Sequence, residues 1–409
     1  MPVQMSKNNE NKLIPKLRFP EFKNEDAWKV DEVGNVFDVT RGYVLSMNLV
    51  SEEQNESNPF PVYSSQTKNN GLAGYYKEFL YEDAITWTTD GANAGDVNFR
   101  KGKFYCTNVC GVLINKNGFA NLCIASLINS VSRRHVSYVG NPKLMNGVMS
   151  KIKIPFPEVK EQHHIASCLS SLDEVITAES QKLEVLKDHK KGLLQNLFPK
   201  EGETVPKLRF AEFANYNEWE LKTITSIGNV ITGNTPSKAD EKNWEGDFVW
   251  ITAQDFKNKY IETSTLKLTE QGKNKSRVVP KNSILVTCIA SIGLNGINKV
   301  ECATNQQINA VVVKSGYDNE FIYYAISYNT NRLKNLAGQT AVPIISKGVF
   351  ENFTIQIPSL LKEQQKIASC LSSLDDLITK QTEKIEQLKL HKKGLLQGLF
   401  PTMNEILRG

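Results

Sequence analysis

Apolar residues step by four and three through Ile165, Leu169, Leu172, Ile176, Leu183, Leu186, Leu193 and Leu197, with polar breaks at Glu179 and Lys190. The same pattern returns through Ile367, Leu371, Leu374, Ile378, Ile385, Leu388, Leu395 and Leu399, broken again at Gln381 and Lys392. This is the spacing of a coiled-coil seam. Lys160 to Pro199 and Lys362 to Pro401 align without a gap and are mostly identical. A helix from Lys160 to Leu197 would be about 57 Å long at 1.5 Å per residue, longer than most helices inside a globular domain, and its copy matches it. Each is therefore a spacer, and two matching seams in one chain are expected to pack on each other. Gly192 and Gly394 are the points at which each helix would end or bend a turn early.

A second repeat marks where each unit begins. Ile14-Pro-Lys-Leu-Arg-Phe-Pro-Glu-Phe22 recurs as Val205-Pro-Lys-Leu-Arg-Phe-Ala-Glu-Phe213, followed at equal spacing by Trp28 and Trp219 and by Gly42 and Gly233. Between this lead-in and the helix, short runs rich in Val, Ile, Thr, Tyr and Phe are punctuated by Gly, Asn and Pro, which predicts mixed α/β domains with many short strands. Expected strands include 84–88, 109–114, 249–252, 283–287 and 310–313, and expected helices include 122–130 and 319–336. The predicted organisation is a globular domain over 14–159, a spacer helix over 160–199, a second domain over 205–361 and a second helix over 362–401. Only a short connector joins Pro199 to the second lead-in, so the second domain must start at the far end of the first helix. The second helix must then run back. The fold class read from this is α/β (α+β): two globular domains joined by two long antiparallel coiled-coil helices, with a pseudo-two-fold axis and Pro401 returning near the first lead-in, a nearly circular arrangement.

Composition changes this picture little. The 409 residues are 40% hydrophobic and 9% aromatic, ordinary for a soluble protein, and the net charge of +5 permits a nucleic-acid partner without demanding one. The seven cysteines form no CxxC pair, and Cys168 and Cys370 fall inside the repeated helices, a reduced, cytoplasmic pattern. The N-terminus lacks an apolar signal core and no run approaches 18 apolar residues, so neither export nor membrane insertion is expected.

Several chemistries are missing. A methyltransferase would need a Gly-rich S-adenosylmethionine loop and an Asn/Asp-Pro-Pro-Tyr/Phe motif, and Asn58-Pro-Phe-Pro61 resembles the latter only in composition. No GxxxxGK[ST] phosphate loop is present. The histidines lie mostly on the long helices, where a solvated face accounts for them, and Glu158-x-Lys160 reads as helix N-terminal charge rather than half of a nuclease motif. Neither a metal site nor a catalytic constellation is expected.

The globular domains do carry loops suited to reading base edges. In the first, Arg41, then Tyr63, Ser65, Gln66, Lys68, Asn69 and Asn70, then Arg100 and Lys101 offer amides for adenine, guanidinium for guanine and cations for phosphate. In the second, Thr235, Ser237 and Lys238, then Thr252, Gln254, Asp255 and Lys257, then Gln306 and Gln339 offer a similar inventory in a different order. Polar, Asn/Gly-rich loops are also ordinary solvent-exposed turns.

With two divergent domains and two near-identical helices, the chain resembles the specificity subunit of type I restriction-modification enzymes over nearly all its length. The matching pieces are Ile154-Pro with Lys160-Glu-Gln, Ile357-Pro with Lys362-Glu-Gln, Gly233-Asn-Thr-Pro-Ser237 with Trp250-Ile-Thr, Tyr63-Ser-Ser with Asn70-Gly-Leu-Ala-Gly-Tyr75, and Asp90-Gly-x-x-Ala-Gly95. The resemblance implies two target-recognition domains, each reading one part of a split double-stranded DNA sequence, with the helices setting the gap. It implies two docked methyltransferase subunits carrying S-adenosylmethionine and a motor-nuclease subunit using ATP and Mg²⁺, this chain being non-catalytic and holding no cofactor itself. One departure is that Gly42 is followed by Tyr-Val-Leu-Ser, unlike Gly233-Asn-Thr-Pro-Ser, so the two domains are expected to read different half-sites. The rivals are a duplicated scaffold binding protein or carbohydrate and an enzyme with an unrecognised site.

Overall fold

The computed structural model describes residues 13–65, 69–338 and 342–401. The chain divides into two units, residues 1–180 with 383–409 and residues 181–382. Both predicted long helices form, Val159–Leu197 and Leu361–Leu399, and each contributes its first half to one unit and its second half to the other. Neither stops at its glycine: a helical Gly costs about 1 kcal/mol against Ala, and here Leu193, Leu194 and Leu197 pack on the core of the second unit while Leu395, Leu396 and Leu399 pack on that of the first.

Within the first unit the helical segments run antiparallel, since Asp173 pairs with Lys392 at 2.5 Å and Glu179 with Lys384. Within the second unit Lys190 pairs with Asp375 while Leu197 shares a core with Ile367 and Leu371, again antiparallel. Three of the polar breaks, Glu179, Lys190 and Lys392, thus supply ion pairs.

In the first unit a six-stranded sheet has the order Asp38–Arg41, Cys110–Ile114, Tyr81–Thr88, Val97–Cys106, Phe60–Tyr63, Leu72–Tyr76. All neighbours are antiparallel except Phe60–Tyr63 beside Val97–Cys106. Side chains alternate across its faces. Ile85, Trp87 and Leu113 join the core that includes the helix Leu122–Ser132, while Ala84, Val112 and Phe104 form a second cluster. In the second unit the corresponding strands split into a five-stranded sheet, which includes Gly228–Thr232, Ile308–Val313 and Ile284–Thr287, and a four-stranded sheet holding Trp244–Ile251 beside Cys302–Thr304. The helix expected over 319–336 is two, Asn319–Tyr328 and Thr330–Asn335. Asn329 breaks it: its side-chain Nδ2 donates to the Ala325 carbonyl at 2.9 Å, competing with the backbone ladder.

Each lead-in docks on the start of a long helix through the same buried clamp. Arg18 donates to both carboxylate oxygens of Glu161 at 2.8 and 2.7 Å, and Trp28 Nε1 donates to the same carboxylate at 3.1 Å. Arg209, Trp219 and Glu363 repeat it at 2.8, 2.9 and 3.2 Å. The Leu17 amide donates to the Gly398 carbonyl and the Leu208 amide to the Asn196 carbonyl, both at 2.8 Å. In each unit the lead-in therefore joins the first turns of one long helix to the last turns of the other.

Candidate nucleic-acid interface

In the first unit a polar hollow of about 280 Å³ opens beside Ser64, Asn70 and Gly71 and the strands Tyr81–Thr88 and Val97–Cys106. Asn70 and Arg100 line it, with Asn93, Asn98, Asn129 and Arg133, which sequence reasoning missed. The amides of Asn93 and Asn98 make no hydrogen bond among the described residues, whereas Asn129 Oδ1 accepts from the Val97 amide at 2.9 Å and Arg133 pairs with Asp96. Their only signal in the sequence was an unusual density of asparagine.

Arg100 is not free on a loop, as the sequence suggested. Its side chain is buried: Nε donates to Thr86 Oγ1 at 3.0 Å, Nη2 donates to the Asn70 carbonyl at 2.7 Å, and the guanidinium lies 3.7 Å from the Tyr63 ring centroid. The reason is register. The pairing between these strands shifts at Glu82/Ala84, where Lys101 and Gly102 form a bulge, and Arg100 turns inward. Tyr63 is correspondingly a platform beneath Arg100, which holds the Asn70 carbonyl; Asn69 and Asn70 are both exposed and in the left-handed region. Arg41 and Lys101 are exposed and Ser65 is half-buried. Gln66 and Lys68 lie outside the described residues, as does Gln339 in the second unit.

In the second unit a cleft of about 630 Å³ gathers Thr235, Lys238, Thr252, Gln254 and Gln306 from three separate segments. Thr235 Oγ1 donates to Gln306 Oε1 at 2.7 Å, so one side of the cleft is pre-ordered. Gln254 is exposed, with no hydrogen-bond partner among the described residues. The Asp255 side chain is engaged within the chain. Its carboxylate accepts from the Thr252 amide and hydroxyl at 2.8 and 2.9 Å and from the Thr265 amide and hydroxyl at 2.9 and 3.0 Å. Burial pushes this carboxyl up, but those donors outweigh it and hold the group below its usual range. The Thr252 hydroxyl is spent in the same bond, and the turn it closes presents Gln254. Ser237 is exposed and its carbonyl accepts from Asn243 and Trp244; Lys257 is exposed outside the cleft lining.

Hydrogen-bond register makes the loops after Gly42 and Gly233 equivalent, although the hollow of the first unit and the cleft of the second are lined mostly by different positions. The Gly42 amide donates to the Cys110 carbonyl at 3.0 Å and the Gly233 amide to the Ile308 carbonyl at 3.1 Å. The Thr107 amide donates to the Tyr63 carbonyl at 2.9 Å and the Asn305 amide to the Ile251 carbonyl at 3.2 Å. A Cβ at Gly42 would strike the Cys106 and Thr107 carbonyls, and one at Gly233 would strike Thr304 and the Asn305 carbonyl, so only glycine permits this approach. Among the described residues, no group of three His, Cys, Asp or Glu could hold a metal, and no helix is long and apolar enough to cross a membrane.

Comparison with known proteins agrees with these observations. The family model described as the type I restriction modification DNA specificity domain matches residues 25–188 and again 216–390. The type I restriction enzyme MjaIX specificity subunit of Methanocaldococcus jannaschii is 36% identical over 183 residues, a match spanning 42% of this chain and 42% of that relative. The MjaVIII specificity subunit of the same organism is 26% identical over 97% of this chain and 96% of its own length. In fold, the chain is similar to the crystal structure of the type I restriction-modification S subunit from M. genitalium, with a TM-score of 0.66, 18% identity, and coverage of 95% of this chain and 99% of that one.

Proposed function

The chain belongs to the type I restriction-modification DNA specificity family, and from that premise we propose that each unit reads one half of a split double-stranded DNA sequence. The supporting observation is that each unit gathers amide side chains around a recess, Asn70, Asn93, Asn98 and Asn129 in the first and Gln254, Asn305, Gln306 and Gln307 in the second, with exposed lysines in each unit. Amides paired to base edges discriminate sequence, while Lys101, Lys238, Lys257 and Arg41 supply phosphate contacts whose affinity falls as salt rises. The two long helices hold the gap between the half-sites and dock two methyltransferase subunits, because each unit offers the same pair of helical segments. S-adenosylmethionine is carried by those subunits, and ATP and Mg²⁺ by a motor-nuclease subunit. The chain itself performs no catalysis and works in the cytoplasm.

The test maps methylated positions in DNA exposed to the chain with its methyltransferase subunit. Gln254→Ala should relax one half-site only, by about 1–3 kcal/mol. Lys101→Ala should lower affinity for all sequences and flatten the salt slope. Equal relaxation of both half-sites by Gln254→Ala would overturn the assignment of one half to each unit.

A further inference from the structure

The loop after Gly42 is unlike its counterpart after Gly233. The Tyr43 amide donates to the Cys106 carbonyl at 3.2 Å and the Asn234 amide to the Thr304 carbonyl at 2.9 Å, so Tyr43 stands where Asn234 stands. Val44 therefore occupies the position of Thr235, which lines the cleft of the second unit, and Asn108 that of Gln306. Where the second unit presents a hydroxyl bonded to an amide, the first presents hydrocarbon at Val44 beside the exposed Asn108. Val44 is 79% exposed and Tyr43 63%, and Met47 and Leu49 on the same loop are also exposed. Four apolar side chains on one loop are more than the scattered singles usual on a surface.

A hydrocarbon at a base-reading position has one discriminating target. Every polar group on a major-groove edge needs a hydrogen-bond partner, which valine cannot give, and the single apolar group displayed there is the C5-methyl of thymine. We propose that Val44, flanked by Tyr43, reads the methyl group of a thymine in the half-site of the first unit. The exposed Arg41, on the strand that ends at this loop, supplies a cation for the adjoining phosphate. This assignment rests on the reading of each unit as a DNA reader and adds the chemical group recognised.

The test uses the chain assembled with its methyltransferase subunits and a duplex carrying the mapped recognition sequence. Each thymine of the first half-site, on either strand, is replaced in turn by deoxyuridine, which removes only the methyl. Wild type should lose about fourfold in affinity at one position, the equivalent of the ~0.8 kcal/mol of a buried methyl-sized group. Val44→Ser, which alters an exposed residue, should bind the thymine duplex about fourfold more weakly and be indifferent to deoxyuridine there. The proposal is overturned if no deoxyuridine affects wild type, if Val44→Ser responds as wild type does, or if the half-site contains no A·T pair. Loss of methyltransferase subunits from Val44→Ser in native mass spectra, with an unchanged deoxyuridine response, would instead assign the loop to protein docking and also overturn it. Failure of the complex to discriminate any sequence would bring down the underlying reading itself, a separate outcome.

Discussion

Replacing Glu363 by Met tests whether the buried clamp holds the second unit together. The Glu363 side chain is 1% exposed and that of Arg209 9%, so the variant leaves a guanidinium with almost no water and no counter-charge. Trp219 Nε1 loses its acceptor as well. Removing one partner of a buried ion pair costs about 3–5 kcal/mol, mainly through the charge left behind. For a unit of this size each kcal/mol lowers Tm by about 2–4 °C, so the shift should be about 6–20 °C. Thermal denaturation followed by tryptophan fluorescence measures it. The informative comparison is the double variant Arg209→Met with Glu363→Met. Without a stranded charge it should be more stable than Glu363→Met alone, even though it lacks more of the native bonds. If the two single losses simply added, the clamp would be a set of independent contacts and the reasoning would fail. Glu161→Met with Arg18→Met should behave alike, since those side chains are 1% and 5% exposed.

Two other expectations follow from the geometry. The Asp255 carboxyl titrates below its unfolded value, so its contribution to stability is present above a pH of about 4 and fades as pH falls through the folded value. The gap in urea midpoint between wild type and Asp255→Asn should be open at neutral pH and close in acid; a gap independent of pH would refute this. A permutant joining Pro401 to Ile14 by a short linker, with new ends between Pro199 and Pro206, should fold and direct methylation to the same sites, because Leu17 already bonds to Gly398 in the first unit. A soluble permutant that had lost one half-site would count against it.

What the sequence disclosed depended on periodicity. The seams of the long helices were legible because their apolar steps persist over many turns, and so were strands such as Tyr81–Thr88, with β-branched and aromatic residues in its second half, and Ile308–Val313, a nearly uninterrupted hydrophobic run. The burial of Arg100 was not legible because the shift that turns it inward arises from pairing with another strand, which alternation along one strand does not reveal. The bonds from Thr265 to Asp255 were hidden for a related reason, since Thr265 lies beyond the turn, whereas the Thr252–Asp255 cap is local. The clamp left a trace that could have been used. Arg18, Trp28 and Glu161 each recur as Arg209, Trp219 and Glu363, and a buried acid that repeats with an arginine and a tryptophan is a candidate ion pair. The asparagines of the first hollow left only their abundance, since Asn93, Asn98 and Asn129 meet only after the sheet has folded.

The division of the long helices between units also orders events in time. The second unit is a single stretch of chain, 181–382, and can fold as soon as that stretch has left the ribosome. The first unit is complete only when residues beyond 383 arrive. Until then Leu13, Trp28, Ile165 and Leu169 wait without Leu395, Leu399 and Phe400, their partners in one core. At 5–20 residues per second the interval between synthesis of residue 180 and residue 400 is on the order of 10–40 s. During that interval the first-made domain is the less finished one, a holder of exposed apolar surface for chaperones or proteases. A nonsense codon near the 3′ end of the reading frame would accordingly injure the half of the protein encoded at its 5′ end.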